Sequence, residues 1–226
     1  MARQKTILAL FCLSCIIGFS PFCYAARPAD NDATVSKEPL PSPVHFVIEK
    51  KSSTVEFEAK QQDVPTRGVF PVEGTIDFDP NQPEKSSIHV TVPIAALKIS
   101  LKDARDLLFS PDWLDPERYP VATFQSQTIE KLNDTHFIVN GHLTIRNNAL
   151  PVRFQFTLDT FNRNVADAHT LLNISRLEYN VGKGQWRDTK SIAEKVQLTI
   201  VIHAIGPGEP RRLKNWFGLK KPTTHK

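Results

Sequence analysis

Seven histidines (His45, His89, His136, His142, His169, His203 and His225) are the side chains best suited to bind a metal or to move a proton near neutral pH. No two stand at an HxH, HxxxH or HExxH spacing, so no metal-ligand set is legible and no metal is expected. His142 and His203 fall out of phase with the apolar residues of their segments and read as surface positions. GxSxG, a glycine-rich phosphate loop and a paired-carboxylate motif are all absent. The run "GKGQW" has two glycines but follows no strand–helix unit, and it reads as a turn. These observations point away from an enzyme and towards a protein whose work is done by apolar surface.

That surface is written as alternation. "STVEFEA" places Val55, Phe57 and Ala59 on one face, and "GVFPVEGTIDF" places Phe70, Val72, Ile76 and Phe78 on one face. "SIHVTVPI" sets Ile88, Val90, Val92 and Ile94 opposite His89 and Thr91. "HFIVNGHLTI" carries Phe137, Val139, Leu143 and Ile145, and "PVRFQFTL" carries Val152, Phe154, Phe156 and Leu158. Between these two lies a tight turn at Asn147, Asn148 and Ala149, where asparagine tolerates the left-handed backbone of a hairpin. "TLLNISRL" and "KVQLTIVIHA" follow, the latter with Val196, Leu198, Ile200 and Ile202 in phase. About eight to ten strands joined by short links, with no crossover helices, give an all-β antiparallel sheet. With one apolar face to bury and almost no helix to cover it, the sheet is expected to close into an up-and-down barrel; a two-sheet sandwich is the competing fold.

One segment interrupts the strands. "SLKDARDLLF" reads as a short helix capped by Ser100, with Asp103 three residues on and Leu101, Ala104 and Leu108 sharing a face. "SPDWLD" reads as a restart, with Ser110 as cap, Pro111 at the first position and Pro116 as the stop. Its apolar side is expected to cover one open end of the barrel, with packing on the barrel's outside as the alternative.

The two ends of the chain differ from its middle. Residues 1–25 have a basic start (Arg3, Lys5), an apolar run and a small-residue end, which is expected to be a cleaved signal peptide. All three cysteines (Cys12, Cys15 and Cys23) lie in that segment. Residues 26–43, with four prolines, read as an extended linker, residues 44–205 as the β-domain, and residues 206–226 as a basic tail. Within 211–226 there are six Lys or Arg and no acid, whereas residues 26–210 carry 20 basic and 24 acidic groups, a net of −4. The central domain therefore lacks the charge for nucleic-acid binding. In the tail, Leu213, Trp216 and Phe217 among basic residues suggest contact with a membrane surface through 211–221, and a disordered terminus is the alternative. Together the ends imply a periplasmic or secreted protein.

The interrupting segment also carries a family likeness. "ARDLLFSPDWLDPERYPVATFQS" resembles the signature of the YceI family, an Arg-Asp pair and a Ser-x-Asp-aromatic run leading to Tyr-Pro and a Thr-Phe-x-Ser strand. "GVFPVEGTIDFDP", "GHLTIRNNALPVRFQF" and "ISRLEYNVGKGQWRDTKSIAEKVQLTIVIHA" resemble three further segments of that family, in order, from about residue 44 to 205. The resemblance implies a lipocalin-like barrel around a long apolar chain, such as a polyisoprenoid or a quinone tail. It also raises two readings of Arg105, as a partner for a pyrophosphate or quinone head group or as a structural anchor of the helix.

The lumen is then expected to be lined by Phe57, Phe70, Val72, Ile76, Phe78, Val90, Val92, Phe124, Val139, Leu143, Phe154, Phe156, Leu198 and Ile200, with Leu108 and Trp113 closing one end. No cofactor is expected beyond a bound isoprenoid lipid or quinone. At ~0.3 kcal/mol per heavy atom, a ~20-carbon chain would gain ~6 kcal/mol, and a longer chain correspondingly more. The competing function is a non-catalytic periplasmic accessory of a membrane redox or stress-response system, whose barrel is filled by its own side chains. Oligomeric state is left open, a homodimer included.

Overall fold

The computed structural model describes residues 42–62 and 64–208. The expected signal segment, most of the linker and the basic tail beyond residue 208 lie outside the described residues. Among the described residues ten strands follow in order: β1 (Val44–Ile48), β2 (Thr54–Gln61), β3 (Val64–Pro71), β4 (Glu73–Phe78), β5 (Ser87–Pro93), β6 (Val121–Lys131), β7 (His136–Ile145), β8 (Asn148–Phe161), β9 (Val165–Ser175) and β10 (Lys195–Ile205). One α-helix, α1 (Lys102–Leu108), stands between β5 and β6.

Every pairing is antiparallel, and the sheet closes because β1 pairs with both β4 and β10. The ten segments make eight courses. β1 and β2 lie along the same edge of β10, at Val47 opposite Ile205 and Thr54 opposite Val201. β4 and β3 run back beside them, with Val44 opposite Phe78 and Thr54 opposite Pro71. Each pair of segments is thus one strand with a jog. Ser53 fills the jog: its buried hydroxyl takes the N–H of His203 at 2.9 Å and donates to the same residue's carbonyl at 3.0 Å. The ladder's backbone groups stay satisfied where the strand slips. Closure removes the open edges that an eight-course sheet would otherwise expose.

The two ends of the barrel are built differently. At the end where β4, β8 and β10 finish, aromatic rings pack against one another. Phe137 stacks on Phe156 with centroids 5.4 Å apart, Phe78 meets Phe137 edge-on at 5.2 Å, and Phe161 lies between Phe78 and Phe46. Val44, Phe46 and Phe137 are completely or almost completely buried in this plug. Gly141 allows the wall beside it to close, since a Cβ there would stand 2.4 Å from the Gln125 carbonyl oxygen.

The opposite end is covered by the interrupting segment, which differs from its sequence reading in two respects. Its helix is a single unit capped at Leu101, without a side-chain cap bond, so Ser100 is not the cap and Leu101 is 63% exposed. Residues 111–118 form successive turns rather than a second helix, because Asp115 takes a left-handed backbone (φ 48°) and Pro116 follows at once. The N–H of Leu114 bonds the Leu108 carbonyl at 2.8 Å, folding the turns back onto the helix.

Candidate functional site

Between the aromatic plug and this lid lies a cavity of about 250 Å3. Protein interiors seldom hold voids larger than a water molecule, so an opening of this size is a feature of the design. Val55, Phe57 and Ala59 of β2, Phe70 of β3 and Ile76 and Phe78 of β4 line one side. Val90 and Val92 of β5, Phe124 of β6, Val139 and Leu143 of β7 and Phe154 and Phe156 of β8 continue the wall, and Leu198 and Ile200 of β10 complete it. Leu108, Trp113 and Leu114 face the cavity from the lid. Strand alternation anticipated the strand positions among these, and the reading of the interrupting segment as a lid anticipated Leu108 and Trp113; Leu114 is brought in by the lid's turns.

One sequence expectation needs correction, and of the two readings of Arg105 the head-group one finds no support. Val72 is fully buried yet does not line the cavity. It sits at the jog between β3 and β4, its N–H 3.3 Å from the Ser53 carbonyl, where the strand's facing is interrupted. Arg105 stands outside the cavity, exposed on the outer flank of α1. Its guanidinium lies 5.0 Å from the centre of the Phe109 ring and 3.5 Å from the Ala95 carbonyl, and it anchors the helix. Neighbouring Asp106 pairs with Lys102 at 3.2 Å.

One wall was missed. Ala166, Ala168, Thr170, Leu172 and Ile174 of β9 all face the cavity. The small side chains of Ala166, Ala168 and Thr170 fill little of the lumen, but alanine and threonine carry too little hydropathy to mark an alternating strand.

Two buried arginines were missed as well, and they hold the lid. Arg176 is 2% exposed and lines the cavity. Its Nε donates to Ala193 O at 3.0 Å, Nη1 to Val181 O and Gly182 O at 3.0 and 3.3 Å, and Nη2 to Trp186 O and Ile192 O at 2.6 and 3.0 Å. All five N–H groups end on backbone carbonyls, which gathers the loop between β9 and β10 around one side chain. Burial pulls its pKa below the usual arginine value, with the charge of Glu194 opposing. Arg146, in the β7–β8 turn, donates through Nη1 to the Trp113 carbonyl and through Nη2 to Pro111 O at 2.9 Å. Arg146 and Asn147 both have positive φ (51° and 61°), as a two-residue primed hairpin turn requires. Isolated arginines in a sequence give no sign of such roles, since they depend on carbonyls from distant segments.

Trp113 sits between these anchors. Arg176 lies 5.4 Å from its ring centre and Trp186 meets it edge-on at 5.9 Å. Tyr179, 2% exposed, also lines this end, and burial followed by the nearby Glu178 charge pushes its pKa up to about 12. Three of the described histidines pair with carboxylates instead of gathering as a ligand set. His45 pairs with Asp77 at 2.7 Å, His169 with Asp159 at 2.7 Å and His203 with Asp167 at 2.5 Å. Among the described residues no group of three or more His, Cys, Asp or Glu is placed to hold a metal ion.

Fold and cavity define a class: closed antiparallel barrels that enclose an apolar chamber under a short lid. The chain belongs to the YceI-like domain family, whose model matches residues 46–204. Among solved structures it is similar to BcnA of Burkholderia cenocepacia (TM-score 0.64, 30% identity, 69% of this chain and 98% of that one). It shares its fold with a polyisoprenoid-binding domain from Saccharophagus degradans (TM-score 0.58, 12% identity, 74% and 100% covered). A UPF0312 protein of Photorhabdus laumondii is 31% identical over 80 residues, which is 35% of this chain and 41% of that protein. A UPF0312 protein of Pseudomonas putida matches at 31% over 87 residues, 45% of its length, so each match spans less than half of the curated relative.

Proposed function

We propose that this chain binds and carries a long apolar lipid of polyisoprenoid or isoprenoid-quinone type, without catalysis, after export to the periplasm. The observation that carries the reading is the cavity: about 250 Å3 lined almost wholly by aliphatic and aromatic side chains, between an aromatic plug at one end and a lid at the other. At ~24 cal/mol per Å3, leaving such a space unfilled would cost about 6 kcal/mol, a large part of a domain's usual net stability. A hydrocarbon guest offsets that cost and has its own surface removed from water. The name of the Saccharophagus neighbour, a polyisoprenoid-binding domain, supports the lipid class. The basic, then apolar, first 25 residues support export.

The test is extraction of the protein purified from its own cell envelope, followed by mass spectrometry of the organic phase. An isoprenoid lipid near one equivalent is expected from the wild type. Ala168→Phe, which projects a ring from β9 into the cavity, should abolish the lipid while leaving the melting temperature unchanged or raised. Lipid-free wild type, or full lipid content in Ala168→Phe, rejects the reading.

A further inference from the structure

β8 meets its two neighbours unequally. Against β7 it is paired along the whole of that strand, from Asn148 opposite Ile145 to Thr157 opposite His136. Against β9 the register runs only from Phe161 opposite Ala166 to Thr157 opposite His169, with a bulge between Leu158 and Thr160. Beyond it, residues Ala149 to Phe156 of β8 and Thr170 to Ser175 of β9 have no register partner in each other. Side-chain clasps mark the limits of this seam. The Thr170 hydroxyl donates to the Gln155 carbonyl at 2.5 Å. At the lid end, Asn148 Nδ2 donates to the Tyr179 carbonyl at 3.2 Å, and Asn180 Nδ2 donates to Asn148 Oδ1 at 3.1 Å. The bulge supplies a cause, since an extra residue bends its strand and raises the local twist. Pro151 fits the same picture: proline has no N–H to give a ladder, and a strand tolerates it where that side is unpaired.

The cavity lies directly behind this seam. Phe154 and Phe156 line it from one lip, and Thr170, Leu172 and Ile174 line it from the other. On the outside, β9 presents Leu171, an aliphatic side chain 62% exposed. Between β3 and Lys98 the wall is also held by an isolated bridge, but there it is filled: a Cβ at Gly68 would stand 2.5 Å from the Phe57 ring and 2.9 Å from Leu97. A hydrocarbon chain needs no hydrogen bond and suits the β8–β9 slit. A peptide strand would find Pro151 without a donor and the Gln155 carbonyl already engaged. We propose that this seam is the portal through which the guest passes between the lumen and a lipid surface, with Leu171 as its outer contact. Opening it breaks fewer ladder bonds than parting β7 from β8 or β9 from β10, which are paired throughout. Exchange therefore goes through the wall and not past the lid. This inference rests on the lipid-carrier reading.

The test is to bridge the seam. All three native cysteines lie within residues 1–25, so Cys12→Ser, Cys15→Ser and Cys23→Ser leave an engineered pair as the only thiols. Extending the β8–β9 register sets Arg153 opposite Asn173 in mid-seam. Arg153→Cys with Asn173→Cys is joined by a short thiol reagent that a reductant cleaves. The full chain is loaded with an isoprenoid alcohol, and transfer to phosphatidylcholine vesicles is timed. Bridging should slow transfer at least about tenfold, the factor expected when two ladder hydrogen bonds must break elsewhere instead. The amount bound should stay the same, and reductant should restore the rate. The same bridge between Gln125→Cys and His142→Cys, opposite each other on β6 and β7, should change nothing. Leu171→Asp, at an exposed site, should slow uptake and release by the same factor. Equal rates for the bridged and reduced seam overturn the inference, and a rate raised by Arg146→Gly alone would assign the route to the lid; either result leaves the carrier reading standing. Should the double-cysteine protein not fold, Leu171→Asp decides, and an unchanged rate overturns the portal. If the wild type binds no isoprenoid alcohol, the carrier reading falls and the portal with it.

Discussion

Tyr179 shows how strongly single residues at the lid are tuned by burial. Its phenol is kept neutral there, with the pKa pushed up to about 12 against an ordinary 10.0. A raised folded-state value means that the folded protein holds the proton longer than the unfolded chain does. The stability this gives is therefore complete below pH 10 and is lost as pH rises through 12. Two units correspond to about 3 kcal/mol. Denaturant titrations should show wild-type stability falling by about that amount more than that of Tyr179→Phe between pH 10 and 12; parallel curves for the two proteins would disprove the linkage. Tyr179 and Arg176 are also the residues least visible beforehand. "SRLEY" reads as the end of a strand, and nothing local marks two of its members as buried under a lid.

At the scale of elements, the lid is a short piece of chain held from outside itself. α1 has no buried residue and no side-chain cap, so its own stability is small. What fixes it is the β7–β8 turn, whose Arg146 reaches the carbonyls of Pro111 and Trp113. Glycine at 146 would suit the left-handed turn even better than arginine while removing both bonds. Arg146→Gly should therefore leave the barrel intact and loosen the lid. With charged hydrogen bonds contributing ~1.5–3 kcal/mol each, amide exchange at Trp113 and Leu114 should accelerate by roughly two orders of magnitude. Amides in β7 and β8 should be unaffected. Equal protection of the lid in both proteins would show that it is held by apolar packing alone.

At the scale of the whole molecule, affinity should follow the length of the guest. Each added five-carbon isoprene unit contributes ~1.5 kcal/mol at ~0.3 kcal/mol per atom, about tenfold in Kd. The gain should stop where the chain reaches the Phe78–Phe137–Phe156 plug, because the cavity is closed there. Calorimetry with isoprenoid alcohols of increasing length should show a steady rise and then a plateau. A Kd indifferent to length would mean that the chain binds elsewhere.

Alternating polarity in segments such as "KVQLTIVIHA" and "PVRFQFTL" determined the antiparallel barrel and much of its lining, though not the β9 wall, because a pleated strand turns every second side chain the same way. The proline-rich break between β5 and β6 likewise announced a lid. Tertiary structure alone decided that the lumen stays open, that Val72 turns out of it at a jog and that Arg105 stands outside. It also decided that Arg146 and Arg176 tie the lid down. Each of these depends on which carbonyl or ring arrives from a distant part of the chain, and periodicity along one strand carries no record of what faces it across the barrel.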